Sequence, residues 1–362
     1  MRTIGELRDE IDRIDDRILE LLNERAGYVI QVGDIKKAQN SEIHVPNREK
    51  AIIDRLTTRN PGPFPNESLR TVMREIFSAS LSLEQPMKVA YLGPRATFSH
   101  LACIQQFGYS PQYVPLNSIK EIFAEVERGL AEYGVVPIEN SIEGVVNYTL
   151  DMFLESELRI SGELMIEVTQ NLMNKTGSIE DVKKVYSHPN PIGQCRGWLE
   201  SNLKGVPVGE VSSTSRAAEM AAEDPSVAAI ASRLAAEVYG LKIIKERIED
   251  NTNNCTRFLL ISKKSPPRTG HDKTSMLFSI KDRAGALYDI LKPFAVRGIN
   301  MTKIESRPSR KKAWEYHFFV DVEGHYEDES VRSAIDELSL NCLFLKVLGA
   351  YPASEPPGGR EG

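Results

Sequence analysis

Apolar residues recur along the start of the chain at Ile4, Leu7, Ile11, Ile14, Ile18 and Leu21, then at Tyr28, Val32 and Ile35. Steps of three and four mark the seam of one long helix packed against other helices. Pro46 interrupts the pattern, and Asn47 is placed to cap a second helix. The run NPGPFPN at 60–66 breaks the chain again before Leu69, Val72, Met73, Ile76 and Leu83 mark a third. Residues 1–86 therefore read as an all-α segment whose thin core dimerisation would help to cover.

After Pro86 the texture changes. KVAYLG, YGVVPI, KKVYS, SVAAIA and TRFLLIS read as short buried strands, with helical stretches such as EIFAEVERGLAE and SRAAEMAAE between them. That alternation predicts an α/β domain over 87–268 with largely parallel sheets. KKSPPRTGHDK reads as a linker. From 273 to 352 the order is strand, helix, strand, strand, helix, strand, a ferredoxin-like β-α-β-β-α-β block. The tail, 353–362, has the composition of a disordered segment. The predicted fold class is multidomain, α + α/β + α+β.

A chain of 362 residues exceeds one ordinary core, in keeping with several domains. A net charge of -6 argues against binding a nucleic-acid backbone, so an anionic ligand must be held by a few local cations. The four cysteines form no C-x-x-C pair, which disfavours a disulfide framework or a zinc site and fits a reducing compartment. Charges occupy the N-terminus where a leader peptide needs an apolar core. No apolar run approaches the roughly 20 residues of a membrane span. The expectation is a cytoplasmic protein that binds neither membrane nor nucleic acid.

Arg25 falls on the helical seam where the spacing demands an apolar side chain. A guanidinium there needs an anion, either a ligand or a glutamate inside the bundle, unless it reaches out to water. Lys36 lies three turns on, about 16 Å along the same face, whereas Arg8 is about 25 Å from Arg25 on another face. Arg8 could reach the same ligand only from an antiparallel partner chain. At this point the segment resembles the all-helical chorismate mutases, through L-R-x-x-I-D-x-x-D at 7–15, Glu24-Arg25, Lys36 and Arg48-Glu49. The resemblance implies ligand contacts from Arg8 of the other chain, Arg25, Lys36, Arg48, Glu49, Ser80 and Glu84. Lys36 and Glu84 would be closest to the chemistry, which uses no cofactor and works by orientation and electrostatic preorganisation. Val45 stands where many members have Asp, and Glu84 where many have Gln. An ionised Glu cannot donate, so the expectation is a mutase favoured by mildly acidic pH.

In the middle segment, polar residues cluster at strand ends: GPRATFS (93–99), PIENS (137–141), SHP (187–189) with Gln194, SSTS (212–215) and NTNNCTRF (251–258). Ligands of open α/β sheets bind beyond the carboxyl ends of strands. Each cluster alone is also an ordinary cap or turn. No Walker loop, G-x-S-x-G, G-x-G-x-x-G or H-E-x-x-H occurs, which disfavours nucleotide, acyl-enzyme and metal chemistry. Together the clusters resemble prephenate dehydratase, with Thr256-Arg257-Phe258, Pro137-Ile138-Glu139-Asn140 and Tyr186-Ser187-His188-Pro189 with Gln194-Cys195 as the specific marks. Ala96 stands where Gly is common. The resemblance implies a two-lobed, periplasmic-binding-protein-like domain in which Thr256 is the catalytic donor. Asn140, Ser187 and Gln194 would position prephenate. Arg257 would hold either a substrate carboxylate or the loop itself. A threonine is too weak an acid to act alone, so neighbours must polarise it.

The final block looks like an ACT domain, with Gly285-Ala286-Leu287 and Glu305-Ser306-Arg307-Pro308 matching effector motifs. The resemblance implies L-phenylalanine bound between paired domains, in a homodimer or higher oligomer. A plain dimerisation module is the alternative. Taken together, the chain resembles the bifunctional chorismate mutase/prephenate dehydratases, acting on chorismate and prephenate without cofactor or metal. Two other readings stay open: a dehydratase with a helical regulatory arm, and a solute-binding receptor.

Overall fold

The computed structural model describes residues 2–38, 46–84, 87–280, 283–308 and 316–354, without the side chains of Lys37, Ala38, Pro46, Asn47, Lys50 and Glu84. The expected disorder of the tail therefore falls, from residue 355 on, outside the described residues. The chain divides into two compact units, 1–88 with 107–112, and 89–106 with 113–362.

The first unit holds α1 (Ile4–Ala38), α2 (Pro46–Arg59) and α3 (Asn66–Glu84). A reciprocal cap starts α1: Thr3 Oγ1 accepts from the Glu6 N–H, and Glu6 accepts from the Thr3 N–H. The second helix opens at Pro46 itself, so Asn47 lies inside its first turn instead of capping it, and proline suits that first position. Helix α3 packs on both others and contributes the buried Phe77, Ser78 and Leu81. The turn at 107–112 docks on it closely: a Cβ on Gly108, at φ +73°, would strike Ser78. Most of the α1 seam is only partly covered by the described residues. Leu7, Ile11, Ile14, Ile18 and Leu21 are each about half exposed.

In the second unit, one lobe is built from β1 (Lys88–Leu92), α4 (Phe98–Phe107), β2 (Gln112–Leu116), α5 (Ile119–Glu127), β3 (Tyr133–Asn140), β4 (Gly144–Val145), α6 (Asn147–Glu155) and β5 (Arg159–Glu167). The other takes β6 (Asn171–Asn174), β7 (Lys184–Ser187), α7 (Pro189–Gln194), α8 (Arg196–Asn202), β8 (Val208–Glu210), α9 (Thr214–Glu223), β9 (Val227–Ala231), α10 (Arg233–Tyr239) and β10 (Lys242–Lys245). The chain then returns to the first lobe in β11 (Cys255–Ser262). The sheet orders are β2-β1-β3-β11-β5, with β4 beside β3, and β10-β6-β9-β7-β8. The expectation of largely parallel sheets is corrected. β1–β3 and β7 with both its neighbours are parallel, but β11 runs antiparallel to β3 and β5, and β6 to β9 and β10. The reversed strands β6 and β11 are those that enter a lobe from its neighbour. No helix here is long and apolar enough to cross a membrane, among the described residues.

The last block comprises β12 (Asp272–Ile280), α11 (Ala286–Ala295), β13 (Met301–Pro308), β14 (Tyr316–Glu323), α12 (Glu329–Ser339) and β15 (Cys342–Pro352), with the antiparallel order β13-β14-β12-β15. Its helices cover one sheet face through Ile290, Phe294, Val331 and Leu338. The other face, through Leu277, Phe319, Leu348 and Tyr351, joins the core of the first lobe. That shared core explains why the expected linker is ordered: Asp272 accepts from Thr269 and Gly270, and Arg268 pairs with Asp328. Ala353 and Ser354 of the expected tail are likewise hydrogen-bonded, to His271 and Glu163.

Candidate functional site

Strands β3 and β11 lie side by side with Asn140 opposite Thr256 and Glu139 opposite Arg257. Side chains alternate along a strand, so each adjacent pair faces opposite ways. The Asn140 carbonyl oxygen accepts from the backbone N–H groups of Ile142 and Glu143, both at 2.9 Å. Those bonds close an Asx turn and leave the amide only one orientation. Its two hydrogens then go to Asn254 Oδ1 at 2.7 Å and Thr256 Oγ1 at 2.9 Å. The half-buried Thr256 hydroxyl is thereby an acceptor towards Asn140, and its own proton is directed elsewhere. This is the neighbour polarisation that a weakly acidic hydroxyl requires. It also makes Asn140 an orienter of Thr256, since both ends of its amide are already engaged.

Ser187 ends β7 fully buried, its hydroxyl donating to the Ile230 carbonyl at 2.7 Å. Gln194 closes α7 and accepts from Gln170 Nε2 at 3.2 Å. The lobes meet beside these residues, where Asn190 donates to Glu143 at 2.6 Å and Asp250 N to the Gln194 carbonyl at 2.7 Å. Two of the four hydroxyls of SSTS are committed to structure. Ser213 caps α9, and Ser215 holds the Arg95 carbonyl. Ser232 holds the next carbonyl, at Ala96, whose N–H is taken by His100. Ala96 sits at φ +64°, the left-handed region that disfavours a Cβ. Burial and Arg95 push His100 down to about 4, so its ring stays a neutral acceptor for that loop.

Arg257 leaves the cleft altogether. Its Nε donates to Glu163 at 2.7 Å, and its terminal nitrogens reach Asp321 at 2.6 Å and the Tyr351 hydroxyl at 3.1 Å. Lys273 adds a second cation on Glu163 at 2.6 Å, and Ser275 touches both Asp321 and Tyr351. Burial alone would raise the Glu163 carboxyl, but Arg257 and Lys273 outweigh it and hold it below its ordinary value. The two cations balance two carboxylates, which is what a buried cluster needs. Of the two roles open to Arg257, this geometry fits the structural one, holding the backbone in place. A parallel link runs from β13: Lys303 pairs with Glu139 at 2.5 Å, and Arg307 with Asp151 of α6 at 2.9 Å.

The effector-motif residues occupy α11 and β13. Gly285 caps α11 at φ +79°, Ala286 is buried and Leu287 is exposed. On β13, Glu305 and Arg307 are half-buried while Ser306 and Pro308 are exposed.

In the helical unit, a groove of about 460 Å³ is lined by Leu22, Ala26, Val72, Ile76 and Leu83, with Arg25, Glu75 and Ser80. Arg25 donates to Ser80, whose hydroxyl bonds the Ile76 carbonyl, and its guanidinium lies 5.3 Å from the Phe77 ring centre. Burial pushes Glu49 up to about 7 against the opposing pull of Arg25 and Arg74. Arg25, Glu49 and Ser80 are thus brought together. Arg8 and Arg48 are exposed, Lys36 is half-buried, and the side chain of Glu84 lies outside the described residues. Sequence reasoning overlooked Asn254, although it stands inside the NTNNCTRF run.

Three family models match the chain: chorismate mutase type II over residues 7–85, prephenate dehydratase over 89–266 and the ACT domain over 274–339. The bifunctional chorismate mutase/prephenate dehydratase of Aquifex aeolicus is 54% identical, over 97% of this chain and 98% of that one. Among solved structures, the prephenate dehydratase of Arthrobacter aurescens in complex with L-Phe is 36% identical with a TM-score of 0.68, covering 74% of this chain and 90% of that one. GqqA, described as a novel type of quorum quenching acylase, is 34% identical with the same TM-score, covering 74% and 98%.

Proposed function

The chain belongs to the family of bifunctional chorismate mutase/prephenate dehydratases, and on that premise we propose that one polypeptide carries out two successive reactions under feedback by their end product. The helical groove rearranges chorismate to prephenate. The β3–β11 site converts prephenate to phenylpyruvate, carbon dioxide and water. L-phenylalanine binds the C-terminal block and inhibits.

Arg25 on the groove wall holds substrate carboxylate, and Glu49 beside it, which keeps its proton below about pH 7, offers a donor that an ionised carboxylate lacks. The reaction needs the compact conformer and charge stabilisation only, both of which a fixed array of donors supplies. The dehydratase step breaks the ring–carboxylate bond, sends its electron pair into the ring and expels the hydroxyl. Aromatisation drives it, so the site has to provide a hydrogen bond to the departing oxygen. Thr256 gives that bond, and the Asn140-to-Thr256 contact is the observation that carries the reading. Thr256→Ala should lower dehydratase turnover by about two orders of magnitude or more while mutase turnover stays intact. A loss under about tenfold would remove Thr256 from the central role. Purified protein given chorismate and prephenate separately, with and without phenylalanine, separates this function from a dehydratase with a helical arm and from a receptor.

Assembly follows the same reading. The exposed seam of α1 supports an antiparallel second copy, which would bring the partner's arginine at position 8 to each groove. A cytoplasmic location agrees with four free thiols.

A further inference from the structure

Asn254 stands two positions before Thr256 and is fully buried. Its backbone is secured without its side chain. The Asn254 carbonyl accepts from Val168 N at 2.7 Å, and Ser141 ties the flanking residues through Cys255 O, Cys255 N and Asn253 O. Its Oδ1 takes a hydrogen from Asn140, yet its own Nδ2 has no hydrogen-bond partner among the described residues. A buried N–H left unpaired opposes folding, so Asn254 carries a cost that its Oδ1 contact with Asn140 has to offset. A residue that carries such a cost, two hydrogen bonds from the reacting group, points to the chemistry.

We propose that Asn254 is a positioning residue of the dehydratase reaction, acting through Asn140 on Thr256. Because the Asn140 oxygen is pinned by two backbone N–H groups, its amide can rotate little. Asn254 Oδ1 takes one of the two amide hydrogens and so keeps the other on Thr256 Oγ1. Without that acceptor the inner hydrogen is buried and unpaired. Satisfying it draws Asn140 off its Asx turn, the bond to Thr256 loosens, and the threonine proton no longer points at the leaving hydroxyl. The inference rests on Thr256 being the donor.

The test uses the full-length protein and reads dehydratase kcat and KM, mutase turnover and Tm for Asn254→Leu, Asn254→Asp, Thr256→Ala and the Leu/Ala double variant. Asn254→Leu should lower dehydratase kcat about 10- to 100-fold with KM little changed, a span typical of supporting contacts. Mutase turnover should hold and Tm should stay about level, since one buried unpaired N–H takes the place of another. Asn254→Asp, which keeps an acceptor oxygen, should recover most of the loss. In the Thr256→Ala background the Leu substitution should cost nothing further, since the two act as one unit. Unchanged kcat in Asn254→Leu beside a severe Thr256→Ala defect would overturn the positioning role alone. So would a fall in kcat that tracks a fall in Tm. A mild Thr256→Ala defect would overturn the donor reading and this inference with it.

Discussion

Neighbouring residues with similar chemistry have different fates here, and the difference is decided by what surrounds them. Glu49 lies beside Arg25, while the pH argument from sequence rested on Glu84, where other members have Gln and whose side chain lies outside the described residues. The burial that pushes Glu49 up to about 7 is a tertiary effect that no spacing rule reveals. A carboxyl whose pKa is raised keeps its proton, and its donor, below that value and loses both as pH rises through it. Mutase kcat should therefore fall as pH climbs through about 7, and Glu49→Gln should flatten the profile, measured at saturating chorismate. Ala96 was legible as a departure from glycine, but its consequence needed the backbone. At φ +64° a Cβ is strained, so Ala96→Gly should raise stability by about 1 kcal/mol, read as a higher Tm or denaturant midpoint. The pairing of Asn140 with Thr256 joins positions 116 apart in sequence, which only the strand register supplies.

At the scale of elements, periodicity located the long α1 and the β-α-β-β-α-β block because each imposes its pattern over many residues. It misjudged strand direction, since β11 reads alike whether it enters its sheet parallel or reversed. It also took KKSPPRTGHDK for a loose connection, because the core shared between the C-terminal sheet and the first lobe leaves no mark on those residues. Alternation along β3 and β11 then has a regulatory corollary. Asn140 and Thr256 face the cleft, while Glu139 and Arg257, one residue away on each strand, grip the C-terminal sheet. Strand β13 carries the effector motif and supplies two of the cations in that grip. Replacing their partners on the catalytic side, Glu139→Gln with Asp151→Asn, should leave phenylalanine binding detectable by calorimetry while weakening inhibition of the dehydratase. Coupling is reciprocal, so prephenate should also cease to shift phenylalanine affinity.

For the whole molecule, three textures in sequence corresponded to three stretches matched by family, and the two reactions and the regulatory block were readable from their motifs. What a single chain could not spell out is that its most regular helix is left half bare. Leu7, Ile11, Ile14, Ile18 and Leu21 form a stripe that the described residues leave about half exposed. Ile14→Glu should lower the assembled mass seen by light scattering and abolish mutase turnover more than dehydratase turnover. The same stripe has a genetic corollary. If each groove borrows position 8 from its partner, the unit of mutase function is the interface and not the gene product. Two dead chains, one Arg8→Ala and the other Arg25→Ala, would then cure each other when mixed and reassembled. Half of the dimers would be mixed, each with one intact groove beside one doubly broken, so about a quarter of wild-type mutase activity should return. Neither protein alone would show any, and loss of function at one allele could be rescued by a different lesion at the other.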